Sequence, residues 1–159
     1  MTSPIIEHED SVRPEWIDSN GHMNLACYVV AFDHATDRLY DVLGIGTAYR
    51  LAAGNSCFTV ETHTLYDREL LPGEPFRVRT WVLGVDTKRL HYFHEMFHQA
   101  TGVRAAAQEL LALHIDMRVR RVTPFPAEQL EALRAAVRDH APAELPNGAG
   151  RRITMPGRS

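Results

Sequence analysis

Nine consecutive residues, Trp16-Ile17-Asp18-Ser19-Asn20-Gly21-His22-Met23-Asn24, crowd a carboxylate, an imidazole and two amides into one short loop. Directly after them comes LACYVVAF, Leu25 to Phe32, the longest unbroken apolar run in the chain. Apolar positions continue at Ala35, Thr36, Leu39, Val42 and Leu43, the three-and-four spacing of a helix face. Asn24 is the natural cap of that helix and Gly44 its left-handed stop. A helix starting there presents unpaired backbone N–H groups and the positive end of its dipole. Such donors stabilise a developing oxyanion, and Gly21 lets a ligand approach the backbone closely. Asp18, a few residues upstream, can attack a carbonyl or activate water, with His22 and Asn24 beside it. The plainer use of the same residues is local: Asp18 and Asn24 can simply cap a turn and a helix.

A second motif points elsewhere. His94-Glu95-Met96-Phe97-His98 matches the HExxH pattern in which two histidines one helical turn apart share a zinc ion. That chemistry needs a helix, and the surrounding RLHYFHEMFHQ is aromatic-rich, follows a hairpin signal and precedes a Thr-Gly turn, all features of a strand. In a strand His94 and His98 stand about 13 Å apart and cannot hold one ion. Arg104 also occupies the place of the third histidine of the extended pattern. No metal site is expected here, and His91, His94 and His98 are expected as strand residues that hydrogen-bond or face solvent.

The elements that must position the loop follow from periodicity. Residues 5 to 13 read as a strand closed by Pro14. The buried helix runs for about 20 residues, roughly 30 Å. After a Gly- and Ala-rich connection the period drops to two. Phe58, Val60, Thr62 and Thr64 then face one side, and Cys57, Thr59, Glu61, His63 and Leu65 the other. Strands follow over 76–85, 89–99 and the segment ending in LLALHIDMRV, whose start, VRAAAQELL, has helix propensity. Consecutive hairpins among four strands imply an antiparallel sheet, curled around one apolar helix in an α+β arrangement. A short helix over 126–139 closes the domain, expected at 1–140, and 141–159 is expected as a disordered tail.

Composition narrows the function classes. The 159 residues fit one domain, and 17 Lys plus Arg against 20 Asp plus Glu leave a formal charge of −3, no basic footprint for nucleic acid. The longest apolar run is far below the roughly 18 residues of a membrane span, and MTSPIIEHED lacks an export signature. No membrane partner is expected, and the cytoplasm is the expected compartment. There Cys27 and Cys57 would stay reduced, in no zinc-like spacing.

Asp18-Ser19-Asn20-Gly21-His22 at the head of an enclosed helix resembles the Asp-x-x-Gly signature of the hotdog-fold acyl-CoA thioesterases, in the 4-hydroxybenzoyl-CoA thioesterase-like branch. The resemblance covers residues 5 to 135. The segments EWIDSNGHMN, ATDRLYDVLGI, NSCFTVETHTLY and KRLHYFHEMFH further resemble the betainyl-CoA thioesterases of carnitine breakdown. The resemblance implies a hotdog fold and hydrolysis of an acyl-CoA to free acid and coenzyme A, without metal or cofactor. It also implies a cleft shared by two subunits of a homodimer or a dimer of dimers. It implies Asp18 as nucleophile or general base, and amides near Asn24 and Leu25 that polarise the thioester carbonyl. His22 and Asn24 then position water or substrate, with Gly21, Leu25 and Tyr28 as substrate contacts. Glu61 and His63 share a strand face that can point to the cleft or simply to solvent. A quaternary ammonium on the substrate would call for aromatic faces and a carboxylate, for which Trp16, Tyr28, Phe32, Phe58, Tyr66 and Glu61 are available; the plainer use of the aromatics is as core. Arg77, Arg79, Lys88 and Arg89 are candidates for the CoA phosphates. The competing class is a non-catalytic hotdog module that binds an acyl-CoA or a quaternary amine.

Overall fold

A computed structural model describes residues 2–155 and 157. Strand β1 (Ile6–Ser11) leads through one 3-10 turn (Pro14–Trp16) and the polar loop into helix α1 (Leu25–Val42) and a short helix α2 (Thr47–Ala53). Strands β2 (Asn55–Tyr66), β3 (Pro75–Val85), β4 (Arg89–His98) and β5 (Arg104–Asp116) follow, then the two-residue β6 (Arg121–Val122) and helix α3 (Ala127–His140). Every strand pairing is antiparallel, in the order β1-β3-β4-β5-β2 with β6 beside β5. The expected α+β sheet around a central helix is present. The ambiguous Ala-rich segment is strand: Ala105, Ala106 and Ala107 are buried in β5, where packing of small side chains against neighbours outweighs helix propensity.

Two features depart from the expected meander. The Gly- and Ala-rich connection contains α2, with Gly54 in the left-handed conformation (φ 69°) as its stop. More consequentially, β2 does not form a hairpin with β3; it pairs with β5 at the far edge of the sheet. The connection Asp67 to Glu74 therefore crosses the end of the sheet and lies against the start of α1. There Met23 N–H donates to Leu70 O (2.8 Å), and Leu70 N–H donates to the Tyr28 hydroxyl (3.0 Å).

Helix α1 buries Tyr28, Ala31, Phe32, Ala35, Thr36 and Leu39 against the concave face of the sheet. Near its start the core holds Phe76, Val78 and Met96; near its end it holds Val82, Leu90, Tyr92 and Leu133 of α3. Each such large side chain contributes roughly 1.5–3 kcal/mol on leaving water. One polar group sits in the middle. His94 is fully buried, with Nε2 2.9 Å from Thr36 Oγ1, Nδ1 2.8 Å from Thr80 Oγ1, and its ring stacked on Phe32 at 5.6 Å. Burial drives its pKa down from 6.5 to about 3, and His8 adds to the effect, so the ring is neutral.

The segment expected as a disordered tail makes contacts with the sheet. Asn147 O accepts from Arg104 Nη1 (2.7 Å), and Gly150 N–H donates to Glu109 Oε2 (2.6 Å). Met1, at the start of the expected domain, and Pro156, Arg158 and Ser159 of that tail lie outside the described residues.

Candidate active site

The polar loop is a tight turn clamped at both ends. Ile17 and Met23 form an isolated antiparallel bridge, Gly21 N–H donates to Asp18 O (3.0 Å), and Asp18 N–H donates to His22 O (3.1 Å). Gly21 adopts φ +80°, a region that side chains with a Cβ rarely enter, and no atom lies within 4 Å of where a Cβ would stand. Asn24 N–H donates to Trp16 O (2.8 Å), and the Asn24 side chain accepts from Ala26 N–H (2.9 Å), the expected helix cap. The same side chain donates from Nδ2 to Asp18 Oδ2 at 3.4 Å, while Asp18 Oδ1 accepts from Asn20 N–H at 2.8 Å. His22 Nδ1 stands 3.9 Å from Asp18 Oδ1 and 3.1 Å from Met23 O. Asp18, His22 and Asn24 are thus brought together at the helix start. The Leu25 N–H, first of the helix, has no hydrogen-bond partner among the described residues.

Beside this turn opens a cavity of about 260 Å³ lined by His22, Met23, Leu25, Tyr28, Tyr66 and the crossing segment Asp67, Arg68 and Glu69. Tyr28 and Tyr66 meet edge to face at 5.3 Å. The Tyr28 hydroxyl donates to Arg68 O (3.4 Å), and the Tyr66 hydroxyl to Leu25 O (3.1 Å). Burial raises both phenol pKa values, so both are neutral donors. Asp67 pairs with Arg104 at 2.7 Å, whereas Glu69 has no ion pair among the described residues. Asp18 does not line the cavity; it stands behind His22, half-buried, with its side chain 19% exposed. Asp67, Arg68 and Glu69 were not legible as site residues, because their place follows from β2 pairing away from β3.

Glu61 and His63 lie elsewhere. The sheet register slips between Thr59 and Glu61, leaving Val60 as an extra residue. The bulge reverses the alternation, so Cys57 and Thr59 share the helix side with Thr62, Thr64 and Tyr66. Glu61 and His63 turn to the opposite face, into a separate cavity of about 530 Å³ with His91, Glu109 and Arg151. They are not joined to the helix-start cavity. Of the aromatics considered, Phe32 and Trp16 are core, and Phe58 lies under the Arg120 guanidinium at 5.8 Å. Arg77 and Arg79 are paired across the strands with Glu9 and Glu7, and Arg89 with Asp86.

A wrapped helix whose capped start meets a carboxylate and an apolar, acid-edged cavity defines a class. The chain belongs to the thioesterase-like superfamily, whose profile matches residues 12–133. It is 36% identical to the betainyl-CoA thioesterase of Pseudomonas aeruginosa over 156 residues, 98% of each chain. Among solved structures, a hypothetical Staphylococcus aureus protein in complex with CoA superposes with a TM-score of 0.88 at 29% identity, covering 98% of both chains. A thioesterase candidate from Pseudomonas putida superposes with a TM-score of 0.83 at 31% identity, covering 99% of this chain and 100% of that one. The fold is the hotdog of this superfamily.

Proposed function

We propose that the Asp18 turn and the start of α1 carry the thioester hydrolysis to which family membership assigns this chain, with betainyl-CoA as the substrate. The observation that carries the reading is one juxtaposition: the Asp18 carboxylate, tied to Asn24 behind His22, sits at the same helix start as the unpartnered N–H of Leu25, a residue of the tyrosine-lined cavity. A thioester carbonyl directed at Leu25 N–H meets the positive end of an 18-residue helix as its oxygen gains charge. Asp18 acts as nucleophile or as the base that draws a proton from water. As base, Asp18 leaves water's oxygen on the acyl carbon as the C–S bond breaks; as nucleophile, it displaces the CoA thiolate to form an acyl-aspartyl anhydride that water then opens. On either route the proton from water goes to the thiolate, and the acid and the CoA thiol are released.

The cavity supports the acyl assignment. Two tyrosine rings and Glu69 match the needs of a trimethylammonium group, which offers no proton and is held by ring faces and negative charge. The 36% identity to a betainyl-CoA thioesterase supports the same substrate. A homodimer is part of the proposal. β2 is an edge strand exposed from Thr59 to Thr62, and Leu25, Val29, Val30 and Val60 present apolar surface at the helix start and along that edge. Pairing two copies there covers an otherwise unprotected edge. A cytoplasmic setting agrees with two free thiols, Cys27 and Cys57.

One observation favours the non-catalytic module: both Asp18 oxygens already accept local hydrogen bonds. Asp18→Asn separates the two readings. Thiol release from betainyl-CoA should fall by about 10²–10⁴-fold in this variant while the protein stays folded. Undiminished release removes Asp18 from the reaction, and tight binding of the thioester by the wild type with no turnover establishes the module.

A further inference from the structure

On the face of β1 turned toward α1, His8 and Asp10 stand two residues apart, and His34 of α1 projects between them. One ligand atom from each of the three lies within 4.8 Å of the others. All three residues are half-buried between the edge strand and the central helix. His8 Nε2 is buried with no hydrogen-bond partner, the single such side-chain atom among the described residues. A buried imidazole nitrogen left unmatched costs free energy unless something binds it.

We propose that His8, Asp10 and His34 form a divalent transition-metal site that joins β1 to the central helix. Two imidazoles and one carboxylate are a borderline donor set, suited to zinc or cobalt and poorly suited to magnesium or calcium, which prefer oxygen ligands. Zinc at about 2.0–2.2 Å from each donor requires ligand atoms roughly 3.3 Å apart, a closure that side-chain rotation supplies. Water completes the coordination. The His8 nitrogen then acquires the partner it lacks.

The surroundings set the affinity. Asp10 Oδ1 accepts from Ser11 N–H at 2.8 Å, and Oδ2 meets Arg13 Nη2 at 3.3 Å in an exposed contact that the ion displaces. Arg38, one turn beyond His34, places a positive charge near His8 and opposes the metal. His34 lies ten residues beyond Asn24, about 15 Å along the helix. The site is therefore independent of the thioesterase reading, and Asp18→Asn should bind metal as the wild type does.

The test is titration of chelator-treated protein with cobalt(II), followed by its visible d–d absorption, and equilibrium dialysis with zinc(II). The expected result is one ion per chain, displacement of cobalt by zinc, and a rise in thermal midpoint with zinc that follows mass action. His8→Gln, His34→Gln and the near-isosteric Asp10→Asn should each weaken binding at least about 10-fold. Arg38→Gln, which leaves every ligand in place, should tighten it. Wild type that takes up no zinc at about 1 mM overturns the proposal. So does binding that survives both histidine substitutions, since the ion would then sit elsewhere.

Discussion

Replacing His94 by glutamine should change how stability depends on pH. The imidazole is fully buried between Thr36, Thr80 and Phe32, and its pKa stands near 3 against 6.5 for the unfolded chain. Below pH 6.5 the unfolded state binds a proton that the folded state refuses, so stability contributed by the neutral ring is complete above pH 6.5 and falls as pH drops toward 3. Each pH unit in that window costs about 1.4 kcal/mol, or roughly 2 kcal/mol between pH 6.5 and 5 and at most about 5 kcal/mol by pH 3. Glutamine keeps a donor and an acceptor for the two threonines but carries no proton to exchange. At pH 7 His94→Gln should be the less stable protein by about 1–3 kcal/mol, from lost ring packing and imperfect hydrogen bonds. The gap should then narrow steadily as pH falls. Urea unfolding of both proteins at half-unit steps from pH 7 to 4.5 measures the difference, in which the other histidines and carboxylates cancel. A gap that stays constant across this range refutes the reasoning, because His94 would then titrate alike in both states.

Three further outcomes follow from the same geometry. Asn24→Ala removes the cap on Ala26 N–H and the amide that holds Asp18 Oδ2, so it should cost about 1 kcal/mol in urea unfolding and lower kcat for thiol release. Glu69→Gln should raise KM for betainyl-CoA roughly fivefold and leave KM for an uncharged acyl-CoA of similar size unchanged, consistent with one partly solvated ion pair. Val60→Glu puts a charge at the bulge of the exposed edge strand; sedimentation should show a shift from dimer toward the 17.9 kDa monomer, and a wild type already monomeric removes the shared cleft.

Much of the molecule was legible in the order of its residues. The run from Leu25 with its Asn24 cap specified the helix and supplied its buried side, Tyr28, Ala31 and Phe32, whereas Leu25, Val29 and Val30 of the same run stay exposed in the single chain. The strand reading of RLHYFHEMFHQ placed His94 away from any shared ion with His98, and His98 instead faces Glu74 at 3.4 Å. The density of polar side chains from Asp18 to Asn24 marked the turn that the structure ties together.

Other features depended on contacts between distant segments. A period of two assigns Glu61 and His63 to a face only if pairing is unbroken, and the bulge at Val60, set by the partner β5, reverses that face. The wall formed by Asp67, Arg68 and Glu69 exists because β2 chose β5 over its neighbour in sequence, a choice made by the packing of the whole sheet. The Ala-rich start of β5 became strand for the same reason. Local sequence determined which segments had to be buried and which residues could do chemistry. Tertiary pairing decided which of them meet, since strand register and edge selection are settled by long-range contacts that no local window contains.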